Sequence, residues 1–189
     1  MYFNLANLLT FSRLIMAVVF IFLFVGETKM WAFIIFCTAG FTDLIDGSVA
    51  RLMHQHSRLG ALLDPMADKL LMQGCFVLLL ITGYIPWWFF ILALSRDLMI
   101  VGGIIYLEVK KAELPYKAIW PSKLATLFQM TVAGFALLRW WLIGDPLVYS
   151  QIGLWQLISM VLSAVFIVIS GYQYVQIGLY LLKKHHLSK

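Results

Sequence analysis

The chain has 189 residues, 62% of them hydrophobic and only 12% charged, with a mean hydropathy of +0.91. Soluble domains carry about 25% charged and about 45–50% apolar residues, and a core of this length cannot bury the excess, which excludes an ordinary water-soluble globule and leaves one all-α membrane domain over residues 1–189. The net charge of +5 resides in short loops between apolar runs, a pattern that fits an anionic membrane face and argues against nucleic acid as a partner.

In chain order, Met1–Asn7 is amphipathic enough to lie on the membrane surface. Six runs then have the length and polarity of membrane spans: Leu8–Val25, Met30–Met53, Ala61–Gly83, Pro86–Leu107, Ser122–Ile143 and Gln151–Leu182. The first ends in Gly26-Glu27-Thr28-Lys29 with no small-residue cleavage pattern, so it reads as a retained span. The last is long enough to tilt or to project from the bilayer. Turn signals at Gly26, Gly83 to Pro86, Pro115, Pro121 and Gly144-Asp145-Pro146 separate the runs. Cys37 and Cys75 lie inside apolar runs and read as small apolar residues, with no disulfide framework.

An even number of spans puts both termini on one side. That side holds Arg51, Arg58, Lys110, Lys111, Lys117, Lys183, Lys184 and Lys189, whereas the other offers Lys29 and Arg139. Positive charge accumulates on the cytoplasmic face, which predicts cytoplasmic termini. Trp87, Trp88, Trp140 and Trp141 fall at the opposite ends of their spans, as an interfacial aromatic belt would.

Four of the nine acidic residues fall between Asp43 and Asp68. Asp43 and Asp46 are three apart near the end of the second span, Asp64 and Asp68 four apart at the start of the third, so each pair shares a helical face at the same side of the membrane. Four carboxylates close together in a medium of low dielectric repel strongly. Either some are protonated or paired with Arg51, Arg58 and Lys69, or hard cations neutralise them. All-oxygen donors suit Mg²⁺, Mn²⁺ or Ca²⁺ rather than zinc, and two ions about 3.5–4 Å apart suit displacement at phosphorus. Gly47 and Ala50 continue the stripe of Asp43 and Asp46, either for helix packing or to let a flat group lie against the backbone. Arg51 adds a fork suited to phosphate oxygens.

The string Asp43-Leu44-Ile45-Asp46-Gly47-Ser48-Val49-Ala50-Arg51, followed at set intervals by Gly60, Asp64 and Asp68, resembles the signature of the CDP-alcohol phosphatidyltransferases. Eight fixed positions match with their spacing, and the six-span pattern extends the resemblance over nearly the whole chain. The resemblance implies transfer of the phosphatidyl group of CDP-diacylglycerol to an alcohol, with release of CMP, in the bacterial inner membrane. It further implies two divalent ions, Mg²⁺ or Mn²⁺, one held by Asp43, Asp46 and Asp64 and the other by Asp43, Asp64 and Asp68, with Asp68 as general base. Gly47, Ala50 and Gly60 make room for the cytidine nucleotide, Arg51 holds its diphosphate, and Ser57 lies where another nucleotide contact is common. Asn7 and Thr10 resemble the polar start of the first span in bacterial members; a helix cap is the equal alternative. A homodimer is implied by the family alone.

The acceptor rests on residues outside the signature. Arg96 and Asp97 sit in mid-span, where charge is costly; they either pair with other intramembrane polar groups, or Arg96 and Lys123 receive an anionic phosphate. The segment Ser122-Lys123-Leu124-Ala125-Thr126 with Gln129 resembles the branch of the family whose acceptor is sn-glycerol 3-phosphate. Arg96-Asp97-Leu98-Met99-Ile100-Val101-Gly102-Gly103 resembles equally the branch whose acceptor is phosphatidylglycerol. A divalent-cation transporter is the alternative of another class; it would distribute its acids across the bilayer depth, and here they cluster at one end.

Overall fold

The computed structural model describes residues 5–26, 28–53, 71–110, 119–142 and 144–187, and the statements below concern those residues. They form helices and turns, with no strand among them. The helices are α1 (Leu5–Val25), α2 (Lys29–Met53), α3 (described over Leu71–Ile81), α4 (Trp87–Val109), α5 (Trp120–Trp141) and α6 (Pro146–Leu187). The all-α expectation therefore holds among the described residues, and each expected span overlaps a helix, the third only over Leu71–Ile81. Two of them, Trp87–Leu107 and Pro146–Leu181, are long and apolar enough throughout to cross a membrane. Large apolar side chains lie open over many surfaces, among them Phe22, Ile81, Leu98, Leu147 and Val168. Water would penalise that much exposed hydrocarbon, whereas lipid would not.

Helix ends follow local chemistry. Leu5–Asn7 make the first turn of α1, continuous with the first span; residues 1–4 of the expected surface segment lie outside the described residues. The sixth helix starts five residues before the expected Gln151, because Asp145 caps it: its Oδ1 accepts the Leu147 amide at 3.0 Å and the Val148 amide at 3.3 Å. Pro146 then takes the first helical position, where a missing N–H costs nothing. The helix continues to Leu187, 42 residues or about 63 Å, past the expected end at Leu182. After α3 the chain turns at Gly83, whose φ of 77° is a backbone conformation that a side chain would strain.

The chain divides into two compact units. The first comprises residues 1–85 and 133–153, thus α1, α2, α3, the end of α5 and the start of α6. Its interior is aromatic. Phe20 lies 5.9 Å from Phe24 and 6.1 Å from Phe36, and Phe24 stacks on Trp140 at 4.2 Å, with the Lys29 ammonium 5.3 Å over the indole. Trp140 thus departs from the expected interfacial belt: it is only 7% exposed, because Phe24 and Lys29 cover it, while Trp87, Trp88 and Trp141 stay open. The Arg139 guanidinium lies 4.4 Å over the Tyr149 ring, and the place a Gly153 Cβ would occupy is 3.4 Å from its Cζ, so glycine permits this close approach. Cys37 is exposed and Cys75 buried, both as free thiols.

The second unit comprises residues 86–132 and 154–189, thus α4, the first half of α5 and most of α6. Phe128 stacks on Phe166 at 5.7 Å, joining α5 to α6. Here the interior also takes polar groups: Arg96, Ser122, Gln129, Gln156, Ser159, Ser163 and Ser170 are all buried.

Candidate active site

The acidic stripe belongs to α2, and the local sequence explains how that helix is held. The α1–α2 turn is closed by Gly26, whose amide donates to the Phe22 carbonyl at 2.9 Å, and by Thr28, whose amide and hydroxyl both donate to the Leu23 carbonyl at 3.0 and 2.9 Å. Thr28 in turn accepts the Ala32 amide at 3.1 Å and so opens α2. Further along, Thr38 Oγ1 donates to the Ile34 carbonyl at 2.7 Å, and Thr42 Oγ1 to the Thr38 carbonyl, satisfying both hydroxyls within the helix.

Beyond Thr42, α2 runs unbroken to Met53. Asp43, Asp46, Gly47, Ala50 and Arg51 are therefore all helical, and at 100° per residue their positions span an arc of about 140° on one side. Their side chains lie outside the described ones, as do those of Asn7 and Thr10 in the first turns of α1. Ser57, Gly60, Asp64 and Asp68 lie outside the described residues altogether. Where description resumes, Leu71, Met72, Cys75, Phe76 and Leu79 are buried along one face of α3, three residues after Asp68 in the sequence. The expected site thus falls at the end of α2 and in the segment leading to α3. Among the described residues no three His, Cys, Asp or Glu come together. The continuous helix through Asp43 and Asp46 places two carboxylate positions one turn apart, and an all-oxygen donor set of this kind fits a hard divalent cation.

Arg96 is fully described. It is 6% exposed, and its NH1 nitrogen donates to Asp97 Oδ1 at 2.7 Å. Its NH2 nitrogen donates to the Ser122 carbonyl at 3.0 Å and to the Ser122 hydroxyl. That carbonyl also accepts the Thr126 hydroxyl at 3.1 Å. Guanidinium has five N–H donors; three are used, and the buried Nε has no hydrogen-bond partner among the described residues. Lys123 follows Ser122 and is exposed. Ser122 is the residue that sequence reasoning left without a role. It lies 26 positions from Arg96, and no local pattern couples them. Gln129 also emerges, 4% exposed with its Nε2 unpartnered among the described residues.

The fold is helical, with open hydrocarbon surfaces and an acidic stripe along one side of α2. The chain belongs to the CDP-alcohol phosphatidyltransferase family, whose model matches residues 3–169, and it is accordingly a phosphatidyltransferase of phospholipid biosynthesis. It is 34% identical over 181 residues to a protein of Mycobacterium tuberculosis named probable phosphatidylglycerophosphate synthase, covering 91% of this chain and 80% of that one. It is 36% identical over 148 residues to the CDP-diacylglycerol–glycerol-3-phosphate 3-phosphatidyltransferase of Escherichia coli, covering 74% of this chain and 79% of that one. Human cardiolipin synthase (CMP-forming) is 36% identical over 110 residues, covering 58% of this chain and 36% of its own length.

Proposed function

We propose that the protein transfers the phosphatidyl group of CDP-diacylglycerol to sn-glycerol 3-phosphate, forming phosphatidylglycerophosphate and CMP. The observation that carries the acceptor is Arg96: a buried guanidinium aimed by Asp97 and Ser122, with two of its five N–H donors, Nε among them, without a partner among the described residues. An unsatisfied buried donor is costly, and an incoming phosphate monoester would satisfy it. Lys123, exposed beside Ser122, adds the second charge. Matches to relatives named for glycerol 3-phosphate chemistry also extend over more of both chains than the match to human cardiolipin synthase.

In this reading Asp43, Asp46, Asp64 and Asp68 hold two divalent ions, Mg²⁺ or Mn²⁺, which when bound offset charge on the phosphoryl oxygens. Arg51 holds the diphosphate of the nucleotide, Gly47, Ala50 and Gly60 leave space for cytidine, and Asn7, Thr10 and Ser57 line its pocket. Asp68 takes the proton as the acceptor hydroxyl attacks the β-phosphorus and CMP leaves. The chain lies in the inner membrane with six spans, both termini and the site facing the cytoplasm, and acts as a homodimer.

The test offers the purified protein CDP-diacylglycerol and Mg²⁺ or Mn²⁺ with each acceptor in turn and measures CMP. Release with glycerol 3-phosphate is the expected result. Release with phosphatidylglycerol alone would reassign the acceptor and leave the phosphatidyl transfer intact. For sidedness, single cysteines at positions 57 and 145, in a chain lacking Cys37 and Cys75, are challenged with an impermeant thiol reagent on intact cells. Labelling at 145 and not at 57 is expected.

A further inference from the structure

Within the second unit, α4 and α6 part to leave a groove of about 200 Å³, lined by Met99, Gly103 and Tyr106 from α4 and by Tyr174, Gly178 and Leu179 from α6. Its walls are almost entirely carbon. At one end the helices close: the position of a Cβ on Gly171 is 3.2 Å from Met99 Cε. From there both helices run the same way along the groove. At Gly103 and Gly178 a Cβ would meet nothing within 4 Å. Small residues on membrane helices ordinarily let another backbone approach, yet at these two positions the described chain supplies none.

Size limits the occupant. Pockets for nucleotides and drug-sized ligands measure about 300–1,000 Å³. A helix of a second copy, about 10–12 Å wide with its side chains, would lie over the open side rather than within such a groove. A single file of methylenes can enter it. Charge then selects the class of lipid. Past the lining of α4, the Lys110 amide still donates to the Tyr106 carbonyl at 3.1 Å, keeping the helical course, and its ammonium stands 5.9 Å from the Tyr106 ring centroid. On α6, Lys183 is exposed one turn beyond Leu179, on the side of the helix that carries Leu179 at the edge of the lining rather than Gly178. Both cations lie at the open end, opposite the Met99–Gly171 closure.

We propose that this groove is a binding site for an anionic glycerophospholipid of the surrounding bilayer: one acyl chain lies between α4 and α6, and the phosphate meets Lys110 and Lys183. The site uses none of the signature residues and does not depend on the acceptor; it rests on the reading that the chain lies in a membrane.

The test places the full chain in phosphatidylcholine nanodiscs containing a trace of phosphatidylglycerol with a photoreactive diazirine in one acyl chain, and maps the cross-links by mass spectrometry. Labelling is expected at 99–107 and 174–179. Gly103→Leu and Gly178→Leu place their side chains in open space, so the fold is kept while the groove fills and labelling there is lost. Lys110→Gln and Lys183→Gln each lower labelling at limiting lipid about fivefold, from about 1 kcal/mol per basic residue near anionic lipid. A phosphatidylcholine probe with the same chain labels the groove more weakly. Equal labelling by both probes, or labelling unchanged in both leucine variants, overturns the proposal, as does a disulfide between copies through Gly103→Cys. Labelling of open positions such as Phe22 and Leu98 without the groove sinks the site and upholds the membrane reading; no labelling anywhere sinks both.

Discussion

Phe20, Phe24, Phe36 and Trp140 fill the interior of the first unit, whereas the second unit buries Arg96, Ser122, Gln129, Gln156, Ser159, Ser163 and Ser170. Among the described side chains, every buried polar residue belongs to the second unit. The contrast assigns the units different tasks. In lipid, apolar burial between helices supplies little driving force, so rings in contact hold α1 and α2 together by dispersion and quadrupole geometry. A helix pair held that way presents the acidic stripe of α2 at fixed spacing. The second unit places polar groups in its interior, where hydrogen bonds to Asp97 and Ser122 hold the Arg96 guanidinium.

The largest effect expected from breaking this division is at the stripe. Asp43→Asn, Asp46→Asn, Asp64→Asn and Asp68→Asn should each lower transfer by at least about a hundredfold in a protein that still purifies folded, since metal stabilisation is worth several kcal/mol. EDTA should do the same, and added Mg²⁺ or Mn²⁺ should restore the rate. Full activity of Asp64→Asn would remove the carboxylate chemistry from the first unit.

Next in size is the second unit's polar site. Arg96→Gln or Lys123→Gln should raise the KM for glycerol 3-phosphate roughly 10- to 150-fold, the equivalent of a charge-assisted contact of about 1.5–3 kcal/mol. The KM for CDP-diacylglycerol should move little. Arg51→Gln should show the reverse bias, and equal shifts for both substrates in the Arg96 variant would mean that it only supports the fold.

Stability sharpens the contrast further. Phe20→Ala removes a fully buried ring and should cost about 3 kcal/mol in unfolding of the purified protein. Ser163→Ala removes a fully buried hydroxyl without a hydrogen-bond partner among the described residues, so it should be neutral or stabilising by up to about 1 kcal/mol. A large loss in Ser163→Ala would reveal a ligand on that hydroxyl.

The smallest effect concerns Tyr84, in the turn after α3. Burial raises its phenol above the usual tyrosine range, Tyr149 adds to the rise, and Arg139 opposes it. A folded pKa above the unfolded one means that its contribution is complete below about pH 10 and fades as the pH climbs through the folded value. Ultraviolet titration of Tyr84→Phe against the parent should show a late-titrating tyrosinate missing from the variant.

Much of this molecule was legible before any coordinates. The 62% hydrophobic composition sets the expectation of lipid as solvent, and the helices follow from the length of its apolar runs, because a chain in hydrocarbon must satisfy its own backbone. The family was legible from Asp43 to Asp68, because the signature is a set of residue types at fixed spacing and spacing is written in the sequence. Asp145-Pro146 was read as a turn alone, and only its hydrogen bonds reveal the cap that starts α6. The tertiary structure alone decided that Trp140 lies under Lys29 rather than in lipid, and that Ser122 reaches Arg96 across 26 residues. It alone decided that Gly103 and Gly178 open onto one groove. Each of these depends on which helices become neighbours, and in lipid most helix faces are equally apolar, so periodicity carries no record of the pairing.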